Sequence, residues 1–224
     1  MIYAVFKASW NPGQARQARG GICGTAFFID QQTALTANHV LNSAVFTTPI
    51  SGFSQCRYWL LGRNGSVVDC TSATLVDHNE IDTTVLKFAA AIPKATAMSL
   101  SAETISPGLA VSNQGYAKRR WNVKLRPVGS DVVLDSFDLR PCIFAGYGTV
   151  MDCSVKTIAG RDINLNNIKV LKMSCGGLKG MSGGPLVVQG TTRVVGLMSF
   201  GLPPDAPQKH TLFAISADEI IRRL

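Results

Sequence analysis

The sequence lacks three features that would assign it to a membrane, disordered or secreted class. No apolar run approaches the roughly 18 residues of a transmembrane helix, so no membrane-spanning segment is expected. Charged residues make up only 16% of the 224 residues and hydrophobic ones 46%, which excludes an intrinsically disordered chain. The N-terminus has no basic stretch ahead of its short apolar run. We therefore predict no secretory signal and a cytoplasmic location, unless a leader has been removed.

The cysteines also lack a pattern. None of the six forms a Cys-x-x-Cys pair, the spacing typical of zinc sites and of thioredoxin-type redox sites. Their even number permits disulfides, but without a predicted leader we favour reduced, partly buried thiols. The cysteines are Cys23, Cys56, Cys70, Cys142, Cys153 and Cys175.

What the sequence does contain is a strand pattern without internal repeats. Short apolar or alternating runs are separated by Gly, Pro, Asn and Asp. About a dozen such runs predict an all-β fold of two barrels or a sandwich. The predicted strands cover 24–29, 34–41, 58–61, 66–76, 83–88, 110–116, 122–134, 143–150, 168–173, 184–188, 193–200 and 211–215.

One helix is predicted, at the C-terminus. Ser216 stands three residues before Glu219, the spacing of a capping box. Asp218 and Glu219 would lie near the positive end of the helix dipole, and Arg222 and Arg223 near the negative end. A short helix therefore closes the predicted β fold.

The segment at 180–185, Gly-Met-Ser-Gly-Gly-Pro, places Ser182 among glycines. A serine on such a tight turn exposes its hydroxyl, and the glycines let a substrate carbonyl approach backbone N–H groups that stabilise an oxyanion. A plain Gly-rich turn is the alternative. We favour the catalytic interpretation, because so specific a segment rarely arises by chance in a chain of this length.

A serine hydroxyl is a poor nucleophile until a base takes its proton. His39 stands at the end of an apolar strand, and Asp82 opens the apolar run 82–88, which would hold a carboxylate against the core. A buried structural histidine is the alternative for His39 alone. The preceding strand and the Thr-Ala-x-His sequence favour a base that Asp82 orients.

Four motifs together resemble those of trypsin-like serine peptidases. They are Gly-Thr-Ala-Phe-Phe at 24–28, Thr-Ala-x-His-Val at 36–40, Asp-Thr-Thr-Val-Leu-Lys at 82–87 and Gly-Met-Ser-Gly-Gly-Pro-Leu at 180–186. The order His, Asp, Ser is that of chymotrypsin. The resemblance spans 24–216 and is closest to the HtrA-like, bacterial-type branch, whose Phe-Ala-Ile is matched at 213–215, without a PDZ domain.

The resemblance implies a chymotrypsin-like fold of two six-stranded antiparallel β-barrels with a short C-terminal helix. Residues 1–95 would form the barrel that carries the His and Asp, 96–105 a connector, and 106–224 the barrel that carries the Ser and the pocket, plus the helix. The active site would lie in the cleft between the barrels.

The resemblance also implies the roles of single residues in a serine endopeptidase. Ser182 would be the nucleophile, His39 the general base and then acid, and Asp82 the group that fixes the imidazole tautomer. The backbone N–H groups of Gly180 and Ser182 would form the oxyanion hole. The substrate would be a polypeptide, and this chemistry needs no metal or organic cofactor.

The implied substrate pocket is small or apolar. Gly176 would lie at its base, so no carboxylate is present there to bind Arg or Lys. Met198 replaces the histidine that glutamyl endopeptidases carry at its position. The segment Ser199, Phe200 and Gly201 would line the pocket and pair with the substrate backbone.

The chain departs from the secreted relatives at three positions. Met181 stands where zymogen-activated enzymes carry an aspartate that pairs with a newly cut N-terminus. The site is therefore either preformed or ordered by the substrate or an activating protein partner. Val40 and Leu178 replace cysteines of secreted relatives, which supports the prediction of reduced thiols.

Two other functions stay open at this point. The chain would be a latent or partner-activated peptide-binding module if the oxyanion loop were collapsed. Alternatively, its net charge of +8 and the basic segment 117–126 would fit a nucleic-acid-associated protein. We favour a hairpin of the second barrel for this segment, with Trp121, Val123 and Leu125 facing inward, and expect neither nucleic acid nor a membrane as a partner.

Overall fold

Strands make up most of the chain, as predicted. The computed structural model describes residues 1–118, 121–140, 143–159, 164–201 and 212–224. Two seven-stranded sheets and one two-stranded sheet account for the strands. The all-β, chymotrypsin-like fold class with a short C-terminal helix is confirmed.

The first sheet is antiparallel, with strand order β5-β4-β1-β2-β3-β7-β6. It has seven strands rather than the predicted six, because β5, of only three residues, adds to the edge of β4. A four-residue helix, α1 (Ser43–Phe46), follows β3. The strands are β1 (Ile2–Trp10), β2 (Arg19–Phe28), β3 (Thr33–Ala37), β4 (Gln55–Gly62), β5 (Val67–Asp69), β6 (Thr74–His78) and β7 (Thr83–Lys87), with 3-10 helices at Ala15–Gln17, Cys70–Ser72 and Asn79–Ile81.

Strand β1 was not predicted from the sequence. It lies at the centre of the first sheet between β2 and β4, and every residue in it except Lys7 is buried. A strand that is buried on both faces has no alternation of polar and apolar residues, so its pattern carries little signal.

The second sheet closes into the predicted six-stranded barrel. Its order is β14-β9-β12-β13-β16-β15, and β14 also pairs with β15, which completes the ring. The two-residue strand β8, within the predicted connector, joins β15 in parallel. The strands are β8 (Ser99–Leu100), β9 (Ala110–Tyr116), β12 (Ile143–Ala159), β13 (Asn164–Met173), β14 (Pro185–Val188), β15 (Arg193–Gly201) and β16 (Leu212–Ser216).

The basic segment forms a hairpin, but not within the second barrel. Strands β10 (Asn122–Val128) and β11 (Asp131–Asp138) pair only with each other. The hairpin packs on the first sheet, where Trp121 makes an edge contact with Phe6 at 5.6 Å and Trp10 donates to Ser130 O at 3.0 Å. Val123 and Leu125 face inward as predicted. Arg119 and Arg120, in the same predicted segment, lie outside the described residues.

The C-terminal helix α2 (Ala217–Ile221) forms without the predicted capping box. The Ser216 hydroxyl donates to the Asp218 carboxylate instead of accepting from the helix backbone. Glu219 accepts from the backbone N–H of Lys169 at 3.1 Å and from Arg223 at 2.9 Å. Lys169 on β13 and Arg223 at the end of the chain therefore replace the reciprocal bonds of a capping box.

The main core cluster joins the two large sheets. It contains Phe6, Phe27 and Leu35 from the first sheet and Tyr116 and Leu165 from the second. The five described cysteines are free thiols, and Cys142 lies outside the described residues. Within the described ranges, no helix is both long and apolar enough to span a bilayer.

Candidate active site

Asp82 occupies a turn that holds its carboxylate below the surface. The 3-10 helix at Asn79–Ile81 ends at Asp82, whose φ of 47° lies in the left-handed region. Asp tolerates this conformation better than most residues. The Asp82 carbonyl accepts from Asn38 N at 3.0 Å, and its side chain is only 4% exposed. The turn between β6 and β7 thus presents a buried carboxylate to the loop after β3.

The Asp82 carboxylate holds the imidazole of His39. Nδ1 of His39 lies 2.9 Å from Oδ2 and 3.0 Å from Oδ1 of Asp82. The backbone N–H of His39 also donates to Oδ1, at 3.0 Å. With the proton on Nδ1, the neutral ring keeps a lone pair on Nε2, which is the arrangement of a base.

Ser199 has a role that the sequence did not indicate. Its side chain is buried and its hydroxyl donates to Oδ2 of Asp82. Its place along the substrate pocket stays a prediction. The same carboxylate therefore receives donors from the loop after β3 and from β15 of the other sheet. No local pattern could have found this contact, because it joins residues 117 positions apart.

The turn that carries Ser182 is tied to β2 of the first sheet. Thr25 N donates to Ser182 O at 2.8 Å, and Thr25 Oγ1 donates to Gly180 O at 2.9 Å. Thr25 Oγ1 accepts from Tyr116 N at 2.9 Å, and Thr25 O accepts from Thr36 Oγ1 at 2.7 Å. Every polar group of this buried threonine is used, so the turn that carries Ser182 is fixed relative to both sheets.

Gly24 brings the Ser182 turn next to the histidine loop. A Cβ added to Gly24 would lie 2.6 Å from Cγ2 of Val40 on one side and 2.9 Å from Ser182 O on the other. Only glycine permits this approach. The structure therefore places Ser182 across Gly24 from Val40, the neighbour of His39.

In the part of the chain that the structure describes, the hydroxyl of Ser182 and the predicted oxyanion donors have no hydrogen-bond partner. Among the described residues, no hydrogen bond joins Ser182 Oγ to His39, so the geometry pairs His39 with Asp82 but not Ser182 with His39. Such bonds are often long before substrate binds. In the same ranges, neither Gly180 N–H nor Ser182 N–H donates to a protein acceptor.

The predicted pocket residues fall into open and packed positions. A Cβ added to Gly176 would contact nothing within 4 Å, and Gly176 O is fixed by Asn113 Nδ2 at 3.0 Å. Phe200 stacks on Phe213 at 4.8 Å, and Gly201 is exposed. Met198 is buried in the second core cluster. Its backbone bonds Gly183 and Gly184, which ties β15 to the turn that carries Ser182.

Cys23, the residue before Gly24, carries a neutral thiol close to the turn that carries Ser182. Burial raises the pKa of Cys23, and the nearby charges of Lys118 and Lys7 offset that rise only in part. A thiol with a raised pKa is a weak nucleophile at neutral pH. Within the described ranges, no group of three His, Cys, Asp or Glu side chains is placed to hold a metal.

A polar network supports the histidine loop from beneath. Asn38 Nδ2 donates to Thr84 Oγ1 at 3.0 Å, and Thr84 Oγ1 donates to Asp77 Oδ1 at 3.1 Å. The other oxygen, Oδ2 of Asp77, accepts from Ser43 N at 2.9 Å. Asp77 therefore holds the chain both before and after His39.

Removing the Asp77 carboxylate is expected to lower kcat by more than a loss of folded protein would explain. Asp77→Ala should lower kcat about 10- to 100-fold, because small displacements of a catalytic group are costly. Steady-state kinetics on a peptide substrate measures the effect. Asp69→Ala is the matched control, because Asp69 caps a turn through Thr71 N at 2.9 Å, away from His39. Equal losses of kcat in both variants would contradict a positioning role for Asp77.

Known proteins share both the sequence pattern and the fold. The family model of the trypsin-like peptidase domain matches residues 24–197. The Rv3671c protease from M. tuberculosis in its active form is 19% identical, with a TM-score of 0.60 over 99% of this chain and 79% of that chain. The HtrA-type protease AlgW with a decapeptide is 17% identical, with a TM-score of 0.64 over 99% and 63%.

A third similar structure is Deg5, which is 17% identical with a TM-score of 0.53 over 99% of this chain and 85% of that chain. At such identities these likenesses show the fold alone, and the chain spans only 63% of the AlgW chain. No curated protein sequence matches the chain. The family match covers most of the chain and contains all four predicted motifs up to residue 186. The chain therefore belongs to the trypsin-like peptidase family, a family of serine endopeptidases.

Proposed function

We propose that the protein hydrolyses peptide bonds through an acyl-enzyme formed on Ser182. The observation that carries this proposal is the His39–Asp82 pair, with Nδ1 at 2.9 Å from the carboxylate, beside a glycine turn that presents Ser182. Orientation by a buried carboxylate is what turns a histidine into an effective base for a serine.

The chemistry follows from the protonation of the pair. Nε2 of His39 takes the Ser182 hydroxyl proton as Oγ bonds to the scissile carbonyl carbon, and the Asp82 carboxylate stabilises the imidazolium. The oxyanion accepts from the unengaged N–H groups of Gly180 and Ser182. Collapse breaks the C–N bond, and His39 gives its proton to the leaving amine. Water then repeats the sequence on the ester and frees Ser182.

The substrate is a polypeptide in this proposal. AlgW, which shares the fold, was solved with a decapeptide. In this chain the end of β15, at Ser199 to Gly201, offers a strand on which a peptide can pair. Gly176 contributes no carboxylate that could bind Arg or Lys, so the proposed side chain before the scissile bond is small or apolar.

The surroundings of Met181 favour a preformed site over zymogen-style activation. Met181 is buried, its Sδ accepts from Leu178 N at 3.2 Å, and its N–H donates to Leu178 O at 3.1 Å. These bonds order the turn without an ion pair. The second candidate is a latent module that binds peptides without cutting them. It is favoured because no hydrogen bond joins Ser182 to His39 among the residues that the structure describes.

Labelling with a fluorophosphonate probe separates the two candidates. We expect the wild-type protein to be labelled, and Ser182→Ala and His39→Ala not to be, because the probe reports an activated serine. Circular dichroism on all three proteins shows that each is folded. A folded wild type that takes no label would overturn the proposal in favour of the latent module.

A further inference from the structure

Two lysines lie side by side at the rim of the oxyanion loop. Lys118 N donates to Lys179 O at 2.8 Å, so the two residues are neighbours across a backbone bridge. Both side chains are exposed. In the part of the chain that the structure describes, neither ammonium belongs to an ion pair. The carboxylates of Asp131, Asp138 and Asp218 each pair with a different cation. Two adjacent unpaired cations attract an anion from the solvent.

The first part of the Lys118 side chain packs against Gly180, whose N–H is a proposed oxyanion donor. A Cβ built on Gly180 would be 3.0 Å from Cγ of Lys118 and 2.8 Å from its backbone N. The charge of Lys118 also acts on Cys23, which stands two residues before Thr25, whose N–H donates to Ser182 O. The two lysines therefore lie beside the turn that carries Ser182, rather than on a remote face of the molecule.

The position of β15 determines which part of a substrate meets these lysines. In the proposed function, the residues before the scissile bond lie along Ser199 to Gly201 of β15. A chain that crosses Ser182 from that side leaves toward Cys23 and Lys118. An extended chain advances about 3.3 Å per residue, so the ammonium groups reach the first few residues of the leaving part.

We propose that Lys118 and Lys179 select polypeptides that carry an acidic side chain within about three residues after the scissile bond. This inference rests on the proposed function and names the class of its substrate. Opposite charges at the rim of a binding site contribute modestly to the affinity, but they discriminate between substrates. Salt shortens the distance over which these charges act.

The test is cleavage of a peptide library by the wild-type protein, read by sequencing the products. We expect Asp and Glu to be enriched in the leaving segment. Matched peptides that differ only by Glu or Gln there should differ in kcat/KM about threefold for each lysine engaged, and less at high salt. Lys118→Glu and Lys179→Glu should each lower the Glu-to-Gln ratio, and the double variant should invert it.

Lys87→Glu is the matched control, since Lys87 is also exposed but ends β7 at the opposite end from Asp82. It should leave the ratio unchanged. Cleavage without acidic enrichment would overturn this inference and leave the proposed function standing, whereas a protein with no cleavage and no fluorophosphonate label would overturn both. Binding of a single-stranded oligonucleotide that is lost in the double variant, with no acidic enrichment, would assign the lysines to nucleic acid instead.

Discussion

Replacing Ser182 with alanine is expected to lower kcat on a peptide substrate by about 10⁶-fold. The loss is large because the acyl-enzyme route disappears, and only binding and the oxyanion donors still act on direct attack by water. The buried backbone bonds of the turn, such as Thr25 N to Ser182 O at 2.8 Å, do not involve the hydroxyl. The variant should therefore fold normally, which thermal unfolding checks.

The sharper measurement is the double variant with His39→Ala. A base at His39 accelerates the reaction only by activating the Ser182 hydroxyl. His39→Ala alone should therefore lower kcat about as much as Ser182→Ala, and the double variant should lower it no further than either. Single-turnover kinetics with a high enzyme concentration resolves the residual rates. Additive losses would show that Ser182 and His39 act independently, and the proposed mechanism would be wrong.

Gly183→Ala is expected to cost about 3 to 5 kcal/mol in the free energy of unfolding. Gly183 has a φ of 84°, a conformation that an alanine adopts only with strain. A Cβ there would also lie 2.7 Å from Ala37 N and closer still to the carbonyl of Thr25 and the hydroxyl of Thr36. These are backbone and buried groups of the first sheet, so they have little room to move.

Urea denaturation of Gly183→Ala beside Gly190→Ala separates the two causes. Gly190 has a φ of 78°, but a Cβ there meets nothing within 4 Å. Gly190→Ala should therefore show only the cost of the left-handed conformation, about 1 kcal/mol. Similar losses in both variants would mean that the turn at Gly183 does not press against the first sheet as described.

The sequence was informative where function requires residue types in a short segment. His39 and Asp82 were found from the apolar strands beside them, and the structure joins them as expected. The turn around Ser182 was found from glycines, and its positive φ at Gly180 and Gly183 explains why glycine is needed there. Local requirements leave local patterns.

Contacts between distant segments left no such pattern. The bond from Ser199 to Asp82 and the support of the histidine loop by Asp77 depend on strands that meet only in the folded chain. The same reason explains the wrong capping box, since Lys169 on β13 takes the carboxylate of Glu219. The hydrogen-bond partners of these polar side chains are far away in the sequence, so sequence patterns, which relate only nearby residues, do not predict them.

The contacts of Thr25 with the second half of the chain determine when peptidase activity can arise during synthesis. The Thr25 side chain binds Gly180 and Tyr116 of the second half, and its backbone binds Ser182. A ribosome delivers the N-terminal half first. That half contains His39 and Asp82, but neither Ser182 nor the N–H groups that we propose as oxyanion donors. We therefore expect a nascent or truncated chain to have no peptidase activity. Activity should arise only once synthesis has passed residue 182 and the two halves have docked.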